Sequence, residues 1–580
     1  MNRGQGGAAA KAANGRRRQG KTNGLDTIRT QAIDAGRTRL LVTGAMFGLV
    51  FLVIGARLAD VTVIKQGNEP RLVQAKPSAS WQTGRADIVD RNGVLLATSL
   101  ETSSLYANPR HVLDRREAAT KLAKALPELS AAEIFRNLAS DRSFVWLRRH
   151  LTPRQKYAVN RLGIPGLYFQ REERRVYPLG HLVPHLLGFT DTDNKGIAGI
   201  EESFDEVLRA TPEPLALAID IRAQHILRRE LRAAVSRFRA IGGGAVVMNA
   251  RTGEILAMVS LPDFDPNKPA SQPPTATFNR ATLGVYEMGS TVKILTVAMA
   301  LDSGAVTLKG GFDASKPIRT NRFLITDYKP KGRWLSVPEI FMYSSNIGAA
   351  KMALAIGTNG QKRYLGNFGL LRQPSIELPE VGSPIVPSPW REINTMTIGF
   401  GHGLAVSPVQ LTAAVAAVVN GGILWPATVI RRLAGHKVSG RRVISARTSE
   451  QMRRLMRLVV ARGTGRKAAA VGYLVGGKTG TAEKSGGRGY RRKALLSSFI
   501  AAFPMTAPRY VVLALLDEPR GRRDTLGYAT GGWVAAPVVG RVIARLGPLF
   551  GVPPVDESSP RIKRRMSIKF NSRRRKLASF

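Results

Sequence analysis

The sequence predicts an α+β core in which an antiparallel sheet packs on a cluster of helices, behind a separate N-terminal region and one membrane anchor. Strand patterns lie early, in residues 244–260, and again late, in residues 495–516. Apolar spacing typical of helices fills much of the stretch between them. Strands at both ends of a helical middle favour one sheet that gathers both groups, with the helices packed against it.

The N-terminus predicts a tail followed by an anchor. Residues 1–39 are rich in Gly, Ala, Asn and Arg without apolar periodicity, which indicates a disordered cytoplasmic tail. Residues 40–56 are free of charge and reach roughly 26 Å as a helix, near the lower limit for crossing a bilayer. A cleaved signal peptide and a buried helix are the alternatives. No Ala-x-Ala site follows and a basic flank precedes, so a single-pass anchor over 40–64 is favoured.

Residues 65–213 predict a second domain without a catalytic signature. Asn92-Gly93 between apolar segments is typical of a hairpin turn. His181 and His185 have helical i, i+4 spacing, which allows a zinc pair, but no His-Glu-x-x-His pattern accompanies them and structural histidines are favoured. The Pro-rich stretch 211–214 indicates a boundary, so the main domain is predicted over 214–550 and a basic tail over 551–580.

Composition limits the function classes. The chain of 580 residues has 87 basic and 41 acidic residues and a net charge of +46, which fits nucleic acid, anionic lipid or polyanionic wall material. The absence of cysteine excludes disulfides, thiolate metal sites and a cysteine nucleophile. A nucleic-acid role is disfavoured because the predicted topology places the basic body across the membrane from DNA.

The segment around Ser290 predicts a serine nucleophile. Ser290 and Lys293 precede an apolar run, and on a helix they project from the same face. A serine hydroxyl needs a base to take its proton, and a lysine is such a base only where its pKa is lowered. Chance often produces Ser-x-x-Lys, and an N-cap serine beside a solvated lysine is the alternative, so two further motifs decide the interpretation.

The second motif, Ser344-Ser345-Asn346, supplies a hydroxyl and a carboxamide two residues apart. The third, Lys478-Thr479-Gly480, places a cation and a hydroxyl among small residues on a predicted strand. In this order the three motifs match those of serine β-lactamases and penicillin-binding proteins.

With these residues in view, the chain resembles the class B penicillin-binding proteins over about residues 40–545. Supporting stretches include 91–93, 175–178, 196–201, 252–258, 263–267, 279–281 and 399–411. Met288 and Val292 differ from the proline and phenylalanine of many relatives, but neither supplies catalytic atoms. The resemblance implies a penicillin-binding and serine β-lactamase-like transpeptidase domain, behind an elongated pedestal domain of the dimerisation type over 65–213. No metal or cofactor is implied.

The resemblance also implies an activity, that of a serine-type peptidoglycan D,D-transpeptidase. Its substrates would be stem peptides ending in D-Ala-D-Ala, and β-lactams would bind as their mimics. Ser290 would attack the penultimate D-Ala carbonyl with Lys293 as base, while Ser344 and Lys478 would relay protons to the leaving amine and Asn346 would orient the substrate. Which group holds the proton stays open.

The remaining implied roles concern substrate anchoring. Lys478, Thr479, Gly480 and Thr481 would hold the substrate carboxylate, and the backbone N–H groups of Ser290 and Thr481 would bind the oxyanion. The protein would lie in the inner membrane with a periplasmic catalytic domain. Its partners would be division-complex membrane proteins, including a lipid-II polymerase, because residues 279–287, and Asp327-Tyr328 followed by residues 344–351, are similar to the septal branch.

Four alternatives compete with this interpretation. A β-lactamase needs a positioned deacylating glutamate, and Glu392-Ile393-Asn394 does not have the required spacing. A bifunctional class A enzyme needs a glycosyltransferase domain, for which residues 60–215 show no pattern. An elongation-type class B enzyme and a non-catalytic division scaffold stay open, although the intact motifs count against the scaffold.

Overall fold

The structure is a computed structural model that describes residues 40–56, 84–320, 323–432, 439–486 and 489–568. Residues 40–56 form helix α1. Among the described residues, no helix combines the length and apolarity needed to cross a membrane. The rest of the predicted anchor, residues 57–64, and the predicted tail over 1–39 lie outside the described residues.

Residues 84–216 form a region of short strands and helices that precedes the main domain. In chain order they are β1 (Ile88–Val89), β2 (Leu95–Ala107), α2 (Arg115–Ala125), α3 (Ala131–Leu138), β3 (Val145–Leu151), α4 (Pro153–Asn160), β4 (Leu167–Val176), α5 (Pro184–Leu187), α6 (Gly199–Ser203), α7 (Asp205–Ala210) and β5 (Leu215–Ala216).

The long strand β2 organises this region, because β1, β3 and β4 all pair with it in antiparallel register. Helices α2, α3 and α4 share a small apolar core with β2, β3 and β4. The predicted hairpin turn at Asn92-Gly93 is confirmed: Gly93 has φ +85°, and the Asn92 N–H donates to Asp90 Oδ1 at 2.7 Å. Buried Glu201 accepts hydrogen bonds from both Arg85 and Arg175, which ties the start of this region to α6.

The remaining elements form the main domain. They are α8 (Ile221–Arg237), β6 (Gly242–Asn249), β7 (Ile255–Leu261), α9 (Pro274–Thr277), β8 (Tyr286–Glu287), α10 (Lys293–Asp302), β9 (Gly311–Asp313), β10 (Ile318–Thr320), β11 (Phe323–Ile325), β12 (Trp334–Ser336), α11 (Val337–Tyr343), α12 (Asn346–Ile356), α13 (Thr358–Asn367), α14 (Glu392–Phe400), β13 (Ala405–Val406), α15 (Pro408–Val419), β14 (Ile423–Leu424), β15 (Arg441–Arg442), α16 (Ala446–Arg462), β16 (Gly476–Gly486), β17 (Gly489–Phe503), β18 (Tyr510–Asp517), α17 (Gly531–Val534), α18 (Ala536–Leu549) and α19 (Pro560–Met566).

Early and late strands meet in one antiparallel five-stranded sheet, as predicted, in the order β16-β17-β18-β6-β7. Both faces of this sheet are buried, because side chains alternate between two cores. Along β6, for example, Ala245 and Val247 pack with α8 and α18, whereas Val246 and Met248 face the helical cluster. The inner strands therefore carry continuous apolar runs. Strand β16 lies at one edge of the sheet.

Helix α10 lies inside the helical cluster, since every residue from Lys293 to Ala300 is buried. It contacts α11, α12, α13, α14, α15 and α16. A helix that is apolar all round is typical of such a central position. At the other end of the chain, α19 lies within the predicted basic tail and packs Met566 and Ile562 on the main core.

Candidate active site

Ser290 lies in a one-turn 3-10 helix, residues 289–291, rather than inside the regular helix that the sequence predicted. Gly289 makes this turn possible: its φ is +55°, and a Cβ there would lie 2.7 Å from the Thr481 carbonyl oxygen. The turn packs against β16. Ser290 is therefore held beside Thr481. These are the two residues whose N–H groups were predicted to bind an oxyanion.

Lys293 is the first residue of α10 and is fully buried. Its Nζ lies 3.0 Å from Ser290 Oγ, 2.8 Å from the Ser344 carbonyl oxygen, 3.2 Å from Ser344 Oγ and 2.6 Å from Asn346 Oδ1. The predicted proximity of the serine and the lysine is confirmed. An amine that touches the nucleophile in a closed polar cluster has the position that a general base needs.

The second motif forms a sharp turn between two helices. Ser344 ends α11 in the left-handed region at φ 63°, an uncommon conformation for a residue with a side chain. Ser345 then caps α12, because its hydroxyl accepts from the Gly348 N–H at 3.0 Å. This geometry aims both the hydroxyl of Ser344 and the carboxamide of Asn346 at Lys293.

The third motif lies on the edge strand β16. Lys478 is fully buried, and its Nζ lies 2.9 Å from Ser344 Oγ. The hydroxyl of Thr479 lies 2.9 Å from that of Thr464, and the hydroxyl of Thr481 accepts from the Gly531 N–H at 3.1 Å. An edge strand keeps one row of backbone groups unpaired, which suits the binding of an extended peptide.

Gly480 supports the same strand through its lack of a side chain. A Cβ at this position would lie 2.3 Å from Ser498 Oγ and 2.7 Å from the Met288 carbonyl oxygen. Any larger residue would push β16 away from the turn that carries Ser290. The lack of a side chain at Gly480 therefore keeps β16 close to that turn.

Burial lowers the pKa values of the two lysines of the site. Burial lowers the pKa of the Lys293 amine to about 7, and the negative charge of Asp327 opposes that decrease. Burial also lowers the pKa of Lys478 well below its usual range, and the charge of Lys293 adds to the effect. A large share of Lys293 is thus neutral near pH 7 and can accept the serine proton.

The five residues predicted to be catalytic converge in one hydrogen-bonded cluster in which Ser344 joins the two lysines. Two residues that contact members of the three motifs were not predicted from the sequence to belong to the site. Asp327 binds the start of α12, and Thr464 contacts Thr479. Neither belongs to one of the three motifs. Asp327 was noted only through the similarity of Asp327-Tyr328 to the septal branch, and the motif spacing gave no signal that either residue belongs to the site.

The histidine pair lies elsewhere. His185 is buried with its Nε2 2.7 Å from the Ala276 carbonyl oxygen, and burial lowers its pKa to about 4. His181 instead contacts the carboxylate of Asp263 at 3.2 Å. The two rings have separate partners, as expected for structural histidines.

Two family profiles cover most of the chain. The penicillin binding protein transpeptidase domain matches residues 243–544, and the penicillin-binding protein dimerisation domain matches residues 81–226. The chain is 42% identical to the probable peptidoglycan D,D-transpeptidase FtsI of Caulobacter vibrioides, over 81% of this chain and 82% of that protein. It is 32% identical to the peptidoglycan D,D-transpeptidase FtsI of Escherichia coli, over 80% and 83%.

Solved structures agree on the fold. Penicillin-binding protein 3 of Mycobacterium tuberculosis, solved with aztreonam, is 24% identical with a TM-score of 0.65, over 82% of this chain and 97% of that one. The transpeptidase domain of penicillin-binding protein 3 from Burkholderia pseudomallei is 34% identical with a TM-score of 0.53, over 59% and 98%. The two family matches and the relative from Caulobacter vibrioides show that the chain belongs to the class B penicillin-binding proteins.

Proposed function

We propose that this protein is a septal peptidoglycan D,D-transpeptidase that works through an acyl-enzyme on Ser290. The observation that carries the proposal is the 3.0 Å contact between Ser290 Oγ and the buried Nζ of Lys293, an amine with a pKa of about 7. Serine hydroxyls react with acyl groups when a neutral base lies within hydrogen-bond reach. The names of its relatives from Caulobacter vibrioides and Escherichia coli support the same activity.

The first half-reaction transfers the donor peptide to the enzyme. Lys293 takes the Ser290 proton, Oγ forms a bond to the penultimate D-Ala carbonyl carbon, and the developing oxyanion accepts from the N–H groups of Ser290 and Thr481. Collapse of the tetrahedral intermediate breaks the peptide bond. The leaving D-Ala amine receives a proton through Ser344, whose hydroxyl lies within 3.2 Å of both lysine amines.

The second half-reaction is the reverse with a different amine. An amine from a neighbouring strand attacks the ester, Ser290 recovers its proton and the cross-link forms. Before this step, in the first half-reaction, Lys478, Thr479 and Thr481 on β16 anchor the carboxylate of the terminal D-Ala that leaves, while Asn346 orients the donor amide. A β-lactam follows the first half-reaction, but its ring-opened amine stays attached, so the ester persists.

Genetic complementation tests the function against both alternatives. Depleting the protein is expected to block septation while growth continues, and a wild-type copy is expected to restore septa. A Ser290→Ala copy is expected to fail, because it keeps the fold but lacks the nucleophile. Restoration by Ser290→Ala would favour a non-catalytic scaffold, and bulging cells with normal septa would favour an elongation enzyme.

We also propose a membrane topology for the protein. Residues 1–39 would lie in the cytoplasm, residues 40–64 would cross the inner membrane, and residues 65–213 and 214–550 would form the periplasmic pedestal and transpeptidase domains before a basic tail at 551–580. The basic flank before the apolar run supports this orientation. Membrane division proteins, including a lipid-II polymerase, would be its neighbours.

Reporter fusions check this topology. Alkaline phosphatase is expected to be active when fused after residue 220 and inactive when fused after residue 30, because the enzyme folds only outside the cytoplasm. The opposite pattern would contradict the proposed orientation.

A further inference from the structure

Asp327 occupies the N-terminus of α12, next to the catalytic cluster. It follows β11 and is only 8% exposed. Its Oδ1 accepts from the backbone N–H groups of Asn346 at 2.6 Å and Ile347 at 3.0 Å, and its Oδ2 accepts from the Ser345 hydroxyl at 2.7 Å. A carboxylate in this position satisfies N–H groups that the helix itself leaves unpaired.

The residue before Asp327 holds the side chain of Asn346. The carbonyl oxygen of Thr326 accepts from Asn346 Nδ2 at 2.9 Å, which leaves Oδ1 directed at Lys293 Nζ, 2.6 Å away. Two consecutive loop residues thus fix both the backbone and the carboxamide of Asn346. Without them the carboxamide could rotate, and its contact with the base would be lost.

Asp327 also acts on the charge of the cluster. Two buried lysine amines meet at Ser344, and the negative charge of Asp327 acts on Lys293 against the effect of burial. Within the described part of the chain, the charged groups coupled to Lys293 are Asp327, from the loop after β11, and Lys478, from β16. Ser290, Ser344 and Asn346, whose side chains contact the Lys293 amine, are uncharged.

We propose that Asp327 is a positioning residue of the transpeptidase site, one that fixes Asn346 against Lys293 and supplies negative charge to the pair of buried lysines. The inference rests on the proposed function and extends it, because Asp327 acts through Asn346 and Lys293 without touching substrate. It also gives Ser345, the middle residue of the second motif, a role: its hydroxyl binds Asp327 and caps α12.

The test compares pH profiles of penicillin acylation for the purified wild type and Asp327→Asn. Asparagine has the same shape and still offers an acceptor to the two N–H groups, but it removes the charge. Acylation needs neutral Lys293, so loss of the nearby negative charge is expected to move the acidic midpoint down by about one pH unit. The plateau rate is expected to fall about fivefold as the cap weakens.

Asp313→Asn is the matched control, since this exposed carboxylate on β9 binds the Ser315 N–H outside the site. Its profile is expected to match the wild type. If Asp327→Asn does not fold, Asp327→Ser carries the same test, because serine is also a good helix cap. A midpoint that does not move, whatever the plateau, overturns the inference. A wild type that penicillin does not acylate instead overturns the proposed function.

Discussion

Replacing Lys293 by alanine is expected to lower the rate of penicillin acylation by about a thousandfold, because it removes the amine that takes the Ser290 proton. Lys293 Nζ lies 3.0 Å from Ser290 Oγ and is fully buried, so water is a poor substitute for the base. Stopped-flow measurement of acylation by a fluorescent penicillin gives the rate. Circular dichroism checks that the fold survives.

Lys351→Ala is the matched control for this change. Lys351 also lies in a helix of the cluster, α12, but its Nζ donates to the Asp313 carbonyl oxygen, away from Ser290. We expect it to acylate at the wild-type rate. A Lys293→Ala variant that is folded and within tenfold of the wild type would assign the proton transfer to another group, with Lys478 as the first candidate.

Acylation is expected to fall by roughly a hundredfold between pH 8 and pH 5, with a midpoint near pH 7. Burial lowers the pKa of Lys293 to about 7, so the amine is mostly neutral at pH 8. As the pH falls through 7 the amine gains a proton and can no longer accept one from Ser290. The rate therefore decreases on the acidic side and reaches a plateau above about pH 8.

The profile is measured over the range in which thermal unfolding shows that the fold is retained. Rates that stay constant from pH 8 to pH 5 would mean that no group with a pKa near 7 controls acylation. A midpoint near the usual lysine value would mean that Lys293 is not desolvated in solution.

Much of the site could be predicted because its chemistry is carried by short motifs. Ser290 and Lys293 are three residues apart, and the sheet was visible from apolar runs at both ends of the domain. The α+β class and the meeting of the three motifs follow from these local signals. The detailed backbone geometry could not be predicted in this way. Helix α10 begins only at Lys293, and Ser290 lies in a 3-10 turn that depends on the contact between Gly289 and Thr481.

The features that the sequence did not predict depend on contacts between distant segments. Asp327 reaches α12 from a loop 18 residues before Ser345, and nothing in the spacing marks it as a cap. The left-handed conformation of Ser344 is imposed by the turn between α11 and α12. The lowered pKa of Lys293 requires complete burial, which the packing of α10 among six helices provides and a linear pattern does not reveal.

Peptide mass spectrometry after reaction with benzylpenicillin shows whether Ser290 carries the acyl group. We expect one covalently bound penicillin molecule, a modified peptide that contains Ser290, and an unmodified Ser290→Ala protein. Covalent penicillin on another residue, or an equally modified Ser290→Ala protein, would show that Ser290 is not the nucleophile.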